Sequence, residues 1–258
     1  MTALRCLGIV LLGAIGLLAL VGPALAPPPD AQDLGSALSA PNFAEPLGRD
    51  WLGRSVLSRL AHGAWTSLGV AAGAVGAATI FGALLGSIAA AVTGMRTPVR
   101  WCLDVFQAFP SFIVLLLLSA IFPPTAFSIG IAVALVTWVE PCRIALLTGE
   151  AASRHPAVEA ARLVEMSRRS ILRHFIIPPL VRPLLAVGGL MFGHTILAVA
   201  ALGFLGLGLR PPTPEWGTMI SEALPYFDEA PHLIFAPSLA IAASVTGILL
   251  TFDREPTS

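Results

Sequence analysis

Five stretches without a single charged residue decide what this chain can fold into: Cys6–Ala26, Gly63–Met95, Val105–Val139, Leu184–Leu207 and Leu233–Phe252. About 20 consecutive apolar residues make a helix long enough to cross the ~30 Å hydrocarbon layer of a bilayer. Three of the runs have the length of one crossing, and the longer Gly63–Met95, rich in Gly and Ala, is read as one span packed inside a bundle. The 35 residues of Val105–Val139 would make a helix of about 52 Å, too long for one. Pro123-Pro124 divides that run, so two spans are predicted, at 102–122 and 125–147 with a tight turn between them. The expectation is an all-α, polytopic membrane protein with six transmembrane helices. Composition agrees, with 56% hydrophobic and only 12% charged residues where a soluble domain carries about 25%.

What the sequence lacks is equally informative. Fifteen basic residues balance fifteen acidic ones, which gives no electrostatic case for nucleic acid. Every basic residue is Arg, so the chain has no Lys for a P-loop, a Schiff base or a Ser-Lys pair. It has no His-Glu-x-x-His and no Ser-His pair in a Gly-rich motif, which argues against an intramembrane protease or acyltransferase. Inverted repeats, the mark of many secondary transporters, are also missing. Cys6, Cys102 and Cys142 are scattered through apolar sequence and read as small hydrophobes.

Residues 1–26 read as a first transmembrane helix. Ala24-Leu25-Ala26 resembles a cleavage site, so a signal peptide is the alternative. Residues 27–62 form an extracytoplasmic segment ending in a short amphipathic helix, with Trp51, Val56, Leu57 and Leu60 apolar and Arg54, Ser55, Ser58 and Arg59 polar. Residues 63–252 make a five-helix core, in which Gly82-x-x-x-Gly86 allows close helix approach. Arg96 and Arg100 mark an inner loop, and 253–258 is an inner tail. Arg49, Arg54 and Arg59 fall on the outer side, against the positive-inside rule. Glu140 and Arg143, at i,i+3, read as a local ion pair. Asp104 reads as a cap-like or interfacial charge.

The one long hydrophilic island is Glu150–Pro183, with six of the fifteen arginines, predicted to lie inside. Pro156 suits the first position of a helix. Ala157, Val158, Ala160, Ala161, Leu163 and Val164 then alternate with Glu159 and Arg162 at helical spacing. A second short helix is predicted from Ser167 as N-cap, stopped by Pro178-Pro179. Such a polar hairpin between spans suits a soluble partner or lipid headgroups.

Val158-Glu159-Ala160-Ala161-Arg162, followed by Ile171-Leu172-Arg173-His174 and Pro178, resembles the EAA loop of membrane subunits of binding-protein-dependent ABC importers. Pro46–Leu60 is similar to the "PLGTDxLGRDxxSRL" segment of the dipeptide, oligopeptide and nickel permease family. Ala108–Ser111 matches its "AFPS", and Gly203–Gly208 with Pro211–Gly217 is similar to its "SFLGLG…PPTPxWG". The resemblance implies a non-catalytic permease subunit of the type I ABC importer fold, forming half of a translocation pathway for peptides, opines or nickel/metallophore complexes. Its implied partners are a homologous second permease, two ATPase subunits that hold the ATP and Mg, an extracytoplasmic binding protein and the lipid bilayer. This chain itself binds no cofactor and no metal on this reading. Pro156, Val158, Glu159, Ala160, Ala161, Arg162 and Glu165 would form the ATPase-docking coupling helix, with Glu159, Ala160 and Ala161 as its centre. Glu165 stands where the family usually has a Gly with φ > 0, so the turn is expected to be longer or differently shaped. His194, in the middle of the fifth span, is a candidate for the translocation path, with an interhelical hydrogen bond as the alternative; Trp216 is a candidate outer gate or binding-protein contact, with an interfacial anchor as the plainer reading.

Overall fold

A computed structural model describes residues 3–252, without the side chains of Thr93, Arg162 and Arg168. The regular elements of the described residues are helices: α1 (Ala3–Leu25), α2 (Val56–Ala91), α3 (Thr93–Ala108), α4 (Ser111–Ile121), α5 (Ala126–Thr137), α6 (Val139–Ser153), α7 (Pro156–Leu163), α8 (Arg168–Ile171), α9 (Ile177–Phe204), α10 (Trp216–Ala223) and α11 (His232–Phe252). Five helical segments are long and apolar enough to cross a membrane: α1, α2, Ala126–Ser153, Arg169–Phe204 and α11. A bent pair, α3 with α4, makes a sixth. The predicted tail 253–258 lies outside the described residues.

The sixth candidate corrects the expected straight span at 102–122. α3 and α4 meet at 81°. Phe109 sits in extended conformation before Pro110, where the proline ring excludes the α region. At 11 residues, α4 reaches only about 16 Å, too short to cross alone. α3 owes its different character to a polar face.

The chain divides into two compact units, and α2 and α9 contribute residues to each. In the first unit α1 lies along α11, and Leu12, Ile15, Leu18 and Ala19 of α1 join a core with Leu60, Ala64, Ile196, Trp216, Ile241 and Ile248. The expected amphipathic helix is absent as a separate element. Arg49 and Ser55 close a short loop by a β-bridge, and Val56 begins α2, which continues unbroken for 36 residues. Its charged face is buried instead of lying among headgroups. Arg54 Nε donates to Asp50 Oδ2 at 2.6 Å, and Arg54 and Arg59 both donate to Glu222 Oε2 on α10, at 3.1 and 2.7 Å. Arg49 donates to Glu45 Oε1 at 2.9 Å. The three arginines that offended the positive-inside rule are thus each paired with carboxylates.

In the second unit the small residues of α2 act as expected. A Cβ on Gly82 would run into the Trp138 carbonyl oxygen, and one on Gly86 into that of Cys142. α3 lies against α6 through three polar rungs. Arg100 donates to Glu150 at 2.5 Å, Arg143 to Asp104 at 2.9 Å, and Gln107 to Glu140 at 3.2 Å. The Glu140–Arg143 pair read from i,i+3 spacing is therefore replaced by two bonds to α3, and Asp104 is an ion-pair partner. Positions 100, 104 and 107 share one helical face, which is why α3 needs a polar neighbour.

Candidate functional site

The arginine-rich island folds as a hairpin in the second unit. α6 ends at Ser153, and the His155 ring nitrogen Nδ1 accepts from the Ala157 N–H at 3.2 Å, capping α7. Pro156 takes the first helical position as its fixed φ predicts. Val158 (0% exposed) and Ala161 (5%), three residues apart, point inward. They pack on Ala145 of α6, Ile171 of α8 and Leu180 of α9. Pro156, Glu159, Ala160, Leu163 (81%) and Val164 (74%) point outward. The seven residues proposed for docking are therefore divided. Val158 and Ala161 hold the helix to its own chain, which corrects the placing of Ala161 at the centre of a docking face. Glu159 and Ala160 are presented with two exposed aliphatic side chains that the motif comparison left out. The side chain of Arg162 lies outside the described residues.

The turn after α7 keeps the left-handed geometry despite its residue. Glu165 has φ +56°, and the Met166 N–H donates to the Ala161 carbonyl at 3.0 Å. That six-to-one bond past a left-handed residue is the Schellman ending that Gly usually supplies. The expectation of a longer or differently shaped turn is corrected: the shape is kept, at the conformational cost of a side chain in the αL region.

Ser167 caps α8 through its hydroxyl, which accepts from the Ser170 N–H at 3.3 Å. Pro178-Pro179 does not stop the helix. Leu172–Ile176 forms a π-turn, in which the Ile177 N–H reaches back to the Leu172 carbonyl, and α9 follows directly. The wider turn shifts the carbonyls of the preceding residues away from the positions where the two proline rings would meet them in a regular α-helix. Arg154, Arg169, Arg173 and Arg182 are exposed around this hairpin.

The other two candidates lie in the first unit. His194 is exposed on α9, flanked by buried Thr195 and Ile196. Among the described residues no group of three metal-binding side chains forms. Trp216 is fully buried, which corrects its reading as an outer gate. Its indole N–H donates to the Leu60 carbonyl at 3.1 Å. Beside it, Glu215 caps α10, accepting from the Gly217 and Thr218 N–H groups at 2.9 Å each and from the Ser67 hydroxyl at 3.2 Å. Burial pushes the Glu215 carboxyl above the usual carboxylate range, against the pull of these donors. The glycine-rich segment serves this junction. Gly206, at φ +77°, ends α9 with a Schellman bond from Leu207 to Leu202. Gly217 lies so close to α9 that a Cβ would overlap the Ala200 carbonyl. Sequence reasoning missed the Glu215 cap, because Glu is not among the residues preferred at that position.

Residues 79–254 match the model of the binding-protein-dependent transport system inner membrane component. The chain belongs to that family. It is 35% identical over 257 residues to the di/tripeptide transport system permease protein DppC of Pseudomonas aeruginosa, covering 95% of this chain and 84% of the relative. It is 31% identical to the dipeptide transport system permease protein DppC of Alkalihalophilus pseudofirmus, over 97% and 83%. A putative peptide transport system permease protein of Brucella suis is 29% identical, over 96% and 84%. The chain is a non-catalytic, multi-pass inner-membrane subunit of an ABC importer, and such a system implies ATPase and binding-protein partners.

Proposed function

We propose that this chain forms half of the translocation pathway of an ATP-driven importer for small peptides, and that the exposed face of α7 is where an ATPase subunit docks. The peptide reading rests on the names of the relatives, all of which are peptide systems. None of those named relatives points to nickel or metallophore cargo, and His194 has no companion metal ligands among the described residues.

The observation that carries the docking reading is the two-sidedness of α7. Val158 and Ala161 tie it to α6, α8 and α9, while Glu159, Ala160, Leu163 and Val164 face away. Exposed aliphatic side chains in a hairpin that also exposes Arg154, Arg169, Arg173 and Arg182 have the composition of a protein-binding face, which combines apolar contact with arginine. A push on α7 is transmitted because its inner face packs directly on α9 through Leu180. Closure of an ATPase pair can then bias a rigid-body movement of the membrane helices between two states.

In this orientation both termini and the hairpin are cytoplasmic, and the loop bearing Arg49, Arg54 and Arg59 is extracytoplasmic. The pairing of those arginines supports it, since they present little free positive charge to be retained inside. His194, exposed on α9, is a candidate lining residue of the path completed by the second permease.

The test is peptide uptake into proteoliposomes holding the assembled transporter. Replacing Leu163 and Val164 by Asp should leave assembly of this chain in the membrane intact and reduce uptake at least tenfold with ATP hydrolysis no longer stimulated by the loaded binding protein. Undiminished, stimulated uptake would remove the docking assignment.

A further inference from the structure

A pocket in the first unit lies between the loop that precedes α2, α10 and the start of α11. Asp50, Trp51, Arg59, Glu222, Met219 and Leu233 line it. Its carboxylates are already engaged: Asp50 Oδ2 takes Arg54, and Glu222 Oε2 takes Arg54 and Arg59. Its donors are not. Arg59, with a side chain 3% exposed, leaves Nη1 buried without an acceptor, and Trp51 leaves its indole Nε1 in the same condition. Buried N–H groups are almost always satisfied, and two orphans lining one pocket call for an acceptor from outside the chain.

The charge of the site limits what that acceptor can be. Two guanidinium groups, Arg54 and Arg59, face two carboxylates, Asp50 and Glu222, so the cluster is neutral as it stands. An anion would gain a bond to Arg59 and meet both carboxylates at close range. A carbonyl oxygen gains the same bond without that repulsion. Arg59 and Trp51 each bring one unengaged donor to the lining of this pocket, and an amide oxygen has two lone pairs to offer them. The walls contributed by Met219 and Leu233 suit the small apolar groups that flank an amide.

We propose that this pocket is a receptor site for an uncharged peptide-group carbonyl, held by Arg59 Nη1 and Trp51 Nε1. The position of the site outside the membrane rests on the orientation given above, and its two possible sources share the same chemistry. One is the transported peptide and the other is a backbone carbonyl of the binding protein when docked.

The experiment is a titration of the full chain in lipid nanodiscs, read from the ¹⁵N–¹H indole resonances. The Trp51 signal is assigned by its loss in Trp51→Phe. The probe is N-acetyl-Ala-Ala-amide, which offers amide oxygens and no charge; the second arm is the purified cognate binding protein. The Trp51 proton should move downfield and saturate with the capped peptide, and Arg59→Lys, which keeps the charge but loses Nη1, should weaken binding about tenfold. Movement with the binding protein alone supports the same acceptor chemistry and assigns its source to the docked protein. A Trp51 resonance that neither probe moves, or that a resident water already holds downfield, overturns the proposal. Peptide uptake by the assembled transporter is measured in parallel. Intact uptake with an unmoved indole strikes only this site, whereas a moved indole without any peptide uptake strikes only the cargo reading.

Discussion

Replacing Glu165 by Gly should stabilise the hairpin that carries the docking face. Glu165 holds φ +56° at the end of α7. A side chain in that region costs about 1–2 kcal/mol relative to glycine. Glycine returns roughly 0.5–1 kcal/mol of that through the greater freedom of the unfolded segment. The carboxylate also sits at the negative end of the helix dipole, and removing it adds about 0.3 kcal/mol at an exposed position. The sum is a gain of about 1 kcal/mol in local opening free energy, or roughly fivefold slower exchange. Amide hydrogen exchange of the full chain reads it, because the Val164 and Met166 N–H groups bond to the carbonyls of Ala160 and Ala161 across this turn. Glu165→Gln separates the terms, since it removes the charge and keeps the backbone cost. Roughly fivefold slowing in Glu165→Gly with less than about twofold in Glu165→Gln supports the reasoning. Equal slowing in both variants, or none in either, would show that the left-handed turn is not where the energy lies.

Three further outcomes are expected. Gly217→Ala forces a Cβ against the Ala200 carbonyl and should lower stability by about 2 kcal/mol or more, seen as a depressed Tm in nanodiscs. Glu215, its carboxyl raised by burial, keeps a proton in the folded state where the unfolded chain has lost it. Its stabilising contribution is therefore full below the ordinary glutamate range, about pH 4.3, and lost as pH rises through the raised value. The Tm advantage of wild type over Glu215→Gln should shrink from pH 4.5 to 8, and a constant or growing gap would mean that the donors outweigh burial. Of the rungs between α3 and α6, Arg143→Ala should cost under about 1 kcal/mol because Asp104 and Arg143 are both well exposed. Arg100→Ala, which strands the buried carboxylate of Glu150, should cost about 3 kcal/mol, both measured by thermal unfolding.

The spans were legible because a charge-free run of bilayer length has few other uses, and the Pro123-Pro124 break needed only an excess of length. The bend at Phe109-Pro110 was harder to see. It lies inside an apolar stretch, where hydropathy counts residues without regard to backbone direction, although the residue before a proline carries a local signal. The hairpin's helices, caps and first proline were readable from local chemistry. Its two faces were not, since which of Val158, Glu159, Ala160 and Ala161 point inward depends on Ile171 and Leu180 further along the chain. Glu165 misled because its intrinsic preference is weak beside the six-to-one bond and the buried Val158 and Ala161 that hold the turn. Trp216 misled for a different reason. A tryptophan in a loop usually anchors an interface, and only the contact with Leu60, 156 positions away, shows it to be core. Partners as distant as Arg59 and Glu222 leave no trace in local pattern.

The docking assignment meets its most direct test in a cysteine cross-linking scan. On a background lacking Cys6, Cys102 and Cys142, single cysteines at positions 156–165 are paired with cysteines on the ATPase subunit in the assembled transporter. Positions 159, 160, 163 and 164 are predicted to cross-link, with yields that change on ATP binding, while 158 and 161 stay silent. Cross-links at 158 and 161 with none at the exposed four, or no cross-link anywhere along α7, would contradict the account.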